Sequence, residues 1–329
     1  MKIIQYLAGL SGLCLLTLAA AAPANAQDQY PTKAVTLISD AAAGATPDVD
    51  ARFVADGLGK IWGQKVVVVN RKGANGSIAT RAAQEASNDG YTLFMPTLST
   101  FVALPGIAPN IPVKLPRDFL PVGYAAENPM FVAVSPTLDV STLPQLIAMA
   151  KKDPGKVSIA VTGIGRLTHL TGELLQERAG INLLTVPYTG GPHQALADIS
   201  SGRVSMIIEG YSGIVGSVMA GKAKLIAVAS AKRLPQFPDL PTVAETIPGF
   251  TAVGWQVIVV PLGTPEPIIK KVGADLAKVV TDADFQKKLN KIGSYTRAMT
   301  AAETLAFVHK EQETWSPLVA KFVKTVNKK

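Results

Sequence analysis

Cysteine is almost missing from this chain: one residue in 329, Cys14. Histidines number three, aromatic residues make up 6% and charged residues only 17%. A single cysteine excludes a disulfide framework, and past residue 26 it excludes thiolate chemistry altogether. The histidines, His169, His193 and His309, form no H-E-x-x-H or other metal-ligand spacing, so no metal site is expected. No cofactor is expected either. Gly163-Ile164-Gly165 begins a G-x-G-x-x-G pattern, but Thr168 stands where its third glycine belongs, and no G-x-x-x-x-G-K-[ST] run occurs. Gly210-Tyr211-Ser212-Gly213 falls short of the G-x-S-x-G nucleophile elbow. A hydrolytic set built around His169 stays open, because triads assemble in space and not in sequence. A histidine at a helix start is more commonly a packing residue.

Long apolar runs are equally scarce. After residue 26 no segment approaches the ~18 consecutive apolar residues that a membrane span needs. The first 26 residues differ. Lys2 supplies a positive start, Leu7 to Ala22 an apolar stretch, and Ala24-Asn25-Ala26 an A-x-A exit. This is the pattern of a secretory leader cleaved near Ala26/Gln27, which predicts a periplasmic, soluble mature chain. Leu13, directly before Cys14, is not the small residue that a lipid-anchor site needs, so no anchor is expected.

What is abundant is globular. Hydrophobic residues make up 48% of the chain, which is long enough for two ordinary domains. Lys and Arg number 32 against 24 Asp and Glu, a formal charge of +8. The basic residues are scattered and not interleaved with aromatics, so no nucleic-acid partner is expected. A diffuse positive charge attracts small anions in general.

Short β-rich runs alternate with helical stretches. Strands are predicted at Val35–Ile38, Lys65–Asn70, Thr92–Met95, Phe131–Val134, Val157–Val161, Leu183–Pro187, Ser205–Ile208, Leu225–Ala229 and Trp255–Val260. The run Lys65–Asn70 carries four consecutive valines, Val66 to Val69, which predicts burial on both faces. Thr46-Pro47-Asp48 reads as a helix start with Thr46 as N-cap. Thr264-Pro265-Glu266 reads the same way, and Thr300-Ala301-Ala302-Glu303 reads as a capping box. Pro317 is expected to kink or break the last helix near Trp315. The rhythm predicts an α/β fold of parallel βαβ units in two lobes with a ligand cleft between them. Residues 27–125 plus 230–329 would form lobe one and 126–229 lobe two, with crossings near Gly123–Asn128 and Ala229–Arg233.

Four loops after predicted strands are rich in Gly, Ser and Thr: Ala43-Gly44-Ala45-Thr46, Thr97-Leu98-Ser99-Thr100, Thr162-Gly163-Ile164-Gly165 and Thr189-Gly190-Gly191. Ligands of open parallel sheets sit beyond the carboxyl ends of the strands, where glycines let the backbone approach and helix N-termini favour negative charge. Two such loops in each half predict a shared anion site. The free N–H groups of the helix after Gly44 are expected to face it.

The order of short motifs resembles one known family. Asn70-Arg71-Lys72-Gly73-Ala74-Asn75-Gly76 is similar to N-R-x-G-A-x-G, and Asp89-Gly90-Tyr91-Thr92-Leu93 to D-G-Y-T-L. Asp118-Phe119 with Pro121-Val122 resembles D-F-x-P-V, and His169-Leu170 with Glu173-Leu174 resembles H-L-x-x-E-L. Val186-Pro187-Tyr188-Thr189-Gly190 is close to V-P-Y-x-G, and Pro238 to Glu245 to P-D-x-P-T-x-x-E. Together they resemble the extracytoplasmic solute-binding receptors of tripartite tricarboxylate transporters, the Bug proteins, over nearly the whole mature chain.

The resemblance implies a type II-like periplasmic-binding fold, no enzymatic activity, a carboxylate ligand, membrane permease subunits as partners, and a monomer. It implies ligand contacts at Ala43, Gly44, Ala45, Thr46 and Asp48, at Thr97, Ser99 and Thr100, at Thr162, Gly163, Gly165 and Arg166, and at Tyr188, Gly190 and Gly191. Asp40 and Glu209 complete the candidate set. Three positions depart from the family pattern. Ser39-Asp40 replaces a common Pro-Phe, Arg166 a common Ser or Thr, and Ser205 a common acidic residue. Asp40 would disfavour an anion unless it points away or meets a cationic part of the ligand. Arg166 would either clamp a carboxylate bidentately or simply face solvent. A sensory receptor that presents the same closed lobes to a membrane partner fits this reading equally well.

Overall fold

A computed structural model describes residues 30–111 and 113–326; the predicted leader at 1–26 and Cys14 lie outside the described residues. The fold is α/β. Within residues 31–329, nine strands form one continuous sheet. They are β1 (Val35–Ser39), β2 (Val66–Asn70), β3 (Thr92–Met95), β4 (Phe119–Val134), β5 (Ser158–Val161), β6 (Leu184–Pro187), β7 (Met206–Gly210), β8 (Lys224–Val228) and β9 (Val253–Pro261). Their order is β2-β1-β3-β9-β4-β7-β5-β6, with β8 paired to β4.

The βαβ rhythm holds locally but not throughout. β1 pairs in parallel with β2 and β3, and β5 with β6 and β7. Between these two groups lie β9 and β4, antiparallel to each other and to their outer neighbours β3 and β7. β4 is much longer than the predicted Phe131–Val134. It pairs with β9 from Phe119 to Pro129, then with β7 from Met130 to Val134. The segment Gly123–Asn128 lies within this strand, which has register shifts after Pro121 and Tyr124.

β2 corrects a second expectation. Its valines predict burial on both faces, yet it is an edge strand and Val67 is 37% exposed. Apolar continuity reports strand propensity here, because β-branched residues suit an edge as well as a centre.

Capping explains the helix starts, with two shifts of one residue. Helix Thr46–Trp62 has extended Ala45 as its N-cap, so Thr46 is already helical and Pro47 sits in the first turn, where its missing N–H costs nothing. The Thr46 hydroxyl instead accepts from the Gly213 N–H at 3.0 Å. Helix Glu266–Thr281 starts after Pro265, and the Thr264 hydroxyl donates to the Pro261 carbonyl. The Thr300–Glu303 capping box forms as predicted and opens helix Ala301–Val326. That helix does not end at Pro317. Its buried stripe of Val308, Trp315, Val319 and Phe322 continues across the proline, and this packing outweighs the one lost backbone bond. A helix at Tyr211–Met219 carries Gly213 and Gly216, residues of poor helix propensity that hid it from sequence reasoning.

The main core runs through Phe94, Phe119, Trp255 and Phe322. A smaller cluster holds Phe131, Ile207, Ile214 and Leu234. No helix among the described residues is long and apolar enough to cross a membrane.

Candidate functional site

The loops after β1, β2, β3, β5, β6 and β7 converge on one cavity of about 310 Å³, floored by Asn128, Met130 and Gly254 to Gln256 of β4 and β9. Four helices begin at its wall: Thr46–Trp62, Leu167–Ala179, Pro192–Ser200 and Tyr211–Met219. Each helix start carries N–H groups without intrahelical partners and the positive end of a macrodipole, so the four together favour negative charge in the cavity.

An ion pair crosses this space. Arg166 Nη1 donates to Asp40 Oδ2 at 3.1 Å, with side chains 17% and 0% exposed. The same oxygen accepts from the Thr97 hydroxyl at 2.9 Å and the Thr100 hydroxyl at 2.6 Å. Asp40 thus meets its cation within the protein, and Arg166 is not a free anion clamp. The Leu167 N–H donates to Ser99 Oγ at 3.0 Å, which ties the β5 loop to the β3 loop as well as to the β1 loop.

Glu209 also lines the cavity. Burial pushes its carboxyl up to about 7, despite hydrogen bonds from the Gly210 N–H at 3.0 Å and the Thr162 hydroxyl at 3.3 Å and the nearby Arg166 charge. At the floor, Asn128 Nδ2 donates to Asp50 Oδ2 at 2.6 Å and to Ser294 Oγ at 2.7 Å, and Asn128 Oδ1 accepts from Gln256 Nε2 at 2.7 Å. Asp50 is fully buried, and desolvation raises its carboxyl to about 7.

Of the predicted residues, Asp40, Ala45, Thr46, Thr97, Ser99, Thr162, Gly163, Arg166, Gly191 and Glu209 line the cavity. The others stand behind or beside it. Ala43 faces solvent. Gly44, at φ +76°, donates its N–H to Asp48 Oδ2 at 2.8 Å, and Asp48 is held further by Asn70 and Arg52. These two residues shape the loop from behind. Thr100 supports Asp40, and the Gly190 N–H is taken by Gln194. Tyr188 turns its hydroxyl to Asp198 Oδ2 at 2.6 Å, and burial with that bond raises its phenol to about 12. Gly165 gives its N–H to His169 Nδ1 at 3.0 Å.

That bond also fixes His169, whose Nε2 lies 3.5 Å from Glu173 and whose ring stands edge-on to Phe322. Ser99, the serine at the cavity wall, is occupied by Leu167. His169 is thus engaged by the Gly165 N–H and Glu173, and Ser99 by the Leu167 N–H, so the two do not pair, and none of the described residues form a metal-binding group.

Sequence reasoning missed two parts of the wall. One is Lys72 to Gly76, whose paired glycines were a usable signal but served only as a family mark. The other is Asn128 and Gln256, which lie far apart in the chain and meet only through β4–β9 pairing.

Comparison with known proteins adds to this geometry. Residues 50–323 match the family described as "Tripartite tricarboxylate transporter family receptor". A solved protein of R. palustris, Rpa4515 with adipate, is similar at 30% identity and a TM-score of 0.85, covering 90% of this chain and 98% of that one. The periplasmic binding protein BugD is similar at 31% identity and a TM-score of 0.81, covering 89% and 98%. MatC from Rhodopseudomonas palustris with bound malate is similar at 26% identity and a TM-score of 0.79, covering 88% and 100%.

Proposed function

The chain belongs to the tripartite tricarboxylate transporter receptor family, a family of periplasmic solute-binding proteins and not of enzymes, and we propose that its cavity captures a small carboxylate for uptake by a membrane transporter of that type. The observation that carries the reading is the convergence of four helix N-termini on one cavity. An anion there gains from backbone N–H groups and dipoles without needing a free cation. The cavity volume of about 310 Å³ suits a small molecule. Adipate and malate, bound by two similar proteins, are carboxylates of that size class.

The hand-over of β4 from β9 to β7 at Pro129 and Met130 supports a division into two lobes, residues 27–125 with 230–329 and residues 126–229. On this reading the Arg166–Asp40 pair spans the cleft. The A-x-A motif supports cleavage of the leader after Ala26. The partner would be a permease that takes the ligand from the closed lobes.

Thermal unfolding with a panel of mono-, di- and tricarboxylates tests the reading. A ligand that binds only the folded chain raises the Tm in proportion to the logarithm of its concentration. At least one panel member should do so. A panel with no effect at millimolar concentration contradicts the proposal. Uptake of that ligand should also be lost in cells lacking the receptor gene.

A further inference from the structure

The loops after β1 and β3 are tied to those after β5 and β7 by contacts between protein groups, each complete in itself. Arg166 Nη1 donates to Asp40 Oδ2 at 3.1 Å, and the Leu167 N–H donates to Ser99 Oγ at 3.0 Å. The Gly213 N–H donates to Thr46 Oγ1 at 3.0 Å. Leu167 and Gly213 are the first and third residues of helices Leu167–Ala179 and Tyr211–Met219, so neither N–H has an intrahelical acceptor. The backbones approach closely as well. A Cβ on Gly191 would lie 3.1 Å from Ala42 Cβ, and one on Gly44 would lie 2.4 Å from His193 Nε2. Farther out, Lys321 pairs with Glu177 at 3.2 Å, but their side chains are 65% and 45% exposed, and such a pair holds little. The Arg166–Asp40 pair is different. Its side chains are 17% and 0% exposed, and the Thr97 and Thr100 hydroxyls fix the accepting oxygen. Removing either charge strands the other while the loops stay together, and parting them returns it to water.

We propose that Arg166 and Asp40 form a latch that closes the two lobes on each other before a ligand arrives, so that each capture begins with the breaking of this pair. This rests on the two-lobed receptor reading above and adds the order of events. Arg166 and Asp40 are then positioning residues, which set the balance between closed and open lobes. Only the open fraction admits a ligand, so the latch lowers the apparent affinity by that fraction.

Amide hydrogen exchange, followed by NMR on the purified ligand-free receptor, tests this residue by residue. The Leu167 and Gly213 N–H groups are bonded across the cleft, so they exchange when the lobes part. In wild type both should exchange about a hundredfold or more slower than in an unstructured peptide. In Arg166→Ala and in Asp40→Asn both should speed up by about a hundredfold, the scale of breaking a buried pair. The amides of Val54 and Leu58, buried in the interior of helix Thr46–Trp62, should stay protected throughout and report that the fold is kept. Asp40→Asn is isosteric and carries the comparison if Arg166→Ala does not fold. Peptide-like exchange of Leu167 and Gly213 in ligand-free wild type overturns the latch, because the lobes then rest open. Slow exchange that neither substitution changes overturns it too, because closure then does not depend on the pair. Both results leave the receptor reading intact, since that reading is judged by the thermal shift with carboxylates.

Discussion

Arg166 and Asp40, 126 residues apart, meet at 3.1 Å across the cavity, with the carboxylate wholly shielded from solvent. Two hydroxyls, from Thr97 and Thr100, hold the same oxygen, so the pair is fixed on one side by β3 and on the other by the loop after β5. Removing one member leaves a buried charge with only neutral donors. Arg166→Ala should lower the unfolding free energy by roughly 3–5 kcal/mol. The double variant Arg166→Ala with Asp40→Asn should recover much of that loss. Urea unfolding of the four proteins of this cycle measures it. A single-variant cost below about 1 kcal/mol would mean that solvent reaches the pair and that it holds nothing.

Gly76 is packed against the same carboxylate. A Cβ there would lie 2.4 Å from Thr100 Oγ1 and 3.1 Å from Asp40 Oδ2, and its φ is +98°. Gly155 has a similar φ of +81°, with nothing within 4 Å among the described residues. Gly155→Ala should therefore cost only the left-handed strain, about 1–2 kcal/mol. Gly76→Ala should cost more and also weaken ligand binding. Equal losses in the two variants would show that the Thr100–Asp40 contact is loose.

Asp50 gives a pH signature. Its carboxyl titrates near 7 in the fold, against an ordinary value of 3.8. Below that ordinary value both folded and unfolded chains hold the proton. Between the two values only the folded chain does, so stability falls as pH rises. Glu209, also raised to about 7, acts with the same sign. Asp50→Asn removes its share. Relative to wild type, the variant should gain on the order of 4 kcal/mol as pH rises from about 4 to about 7. A wild-type-to-variant difference that does not change with pH contradicts the shift.

Tyr188 belongs to a motif shared with the family, yet its hydroxyl is committed to Asp198. Tyr188→Phe should cost roughly 1 kcal/mol of stability while leaving ligand affinity within about twofold. A large loss of affinity with unchanged stability would return the tyrosine to the site.

The fold was legible where local signals repeat. Alternating β-rich and helical runs located every strand of the sheet, because hydrophobic period and turn residues act over a few positions. Antiparallel β4 and β9 were not legible as partners, since pairing Phe119–Pro129 with Val253–Pro261 is a long-range event that leaves no local trace. The same limit divides the site. Loops following strands could be named from their glycines and hydroxyls, and ten of their residues and neighbours line the cavity. Which of them turn inward depends on partners elsewhere. Gly44 and Asp48 bind each other, and Arg166 finds Asp40 from the far half of the sheet. Asn128 and Gln256 carry no sequence mark at all; only their strand register brings them together.

The ligand is expected to sit in this cavity. Thr189 is exposed at its rim and lines it, so Thr189→Trp can fill the space without disturbing the core. Titration calorimetry of the tightest carboxylate on wild type and on this variant is the direct measurement. Wild type should bind one molecule per chain, and the variant, unfolding at the same temperature, should bind it about tenfold or more weakly. A variant that binds as well as wild type would place the ligand elsewhere and contradict the account.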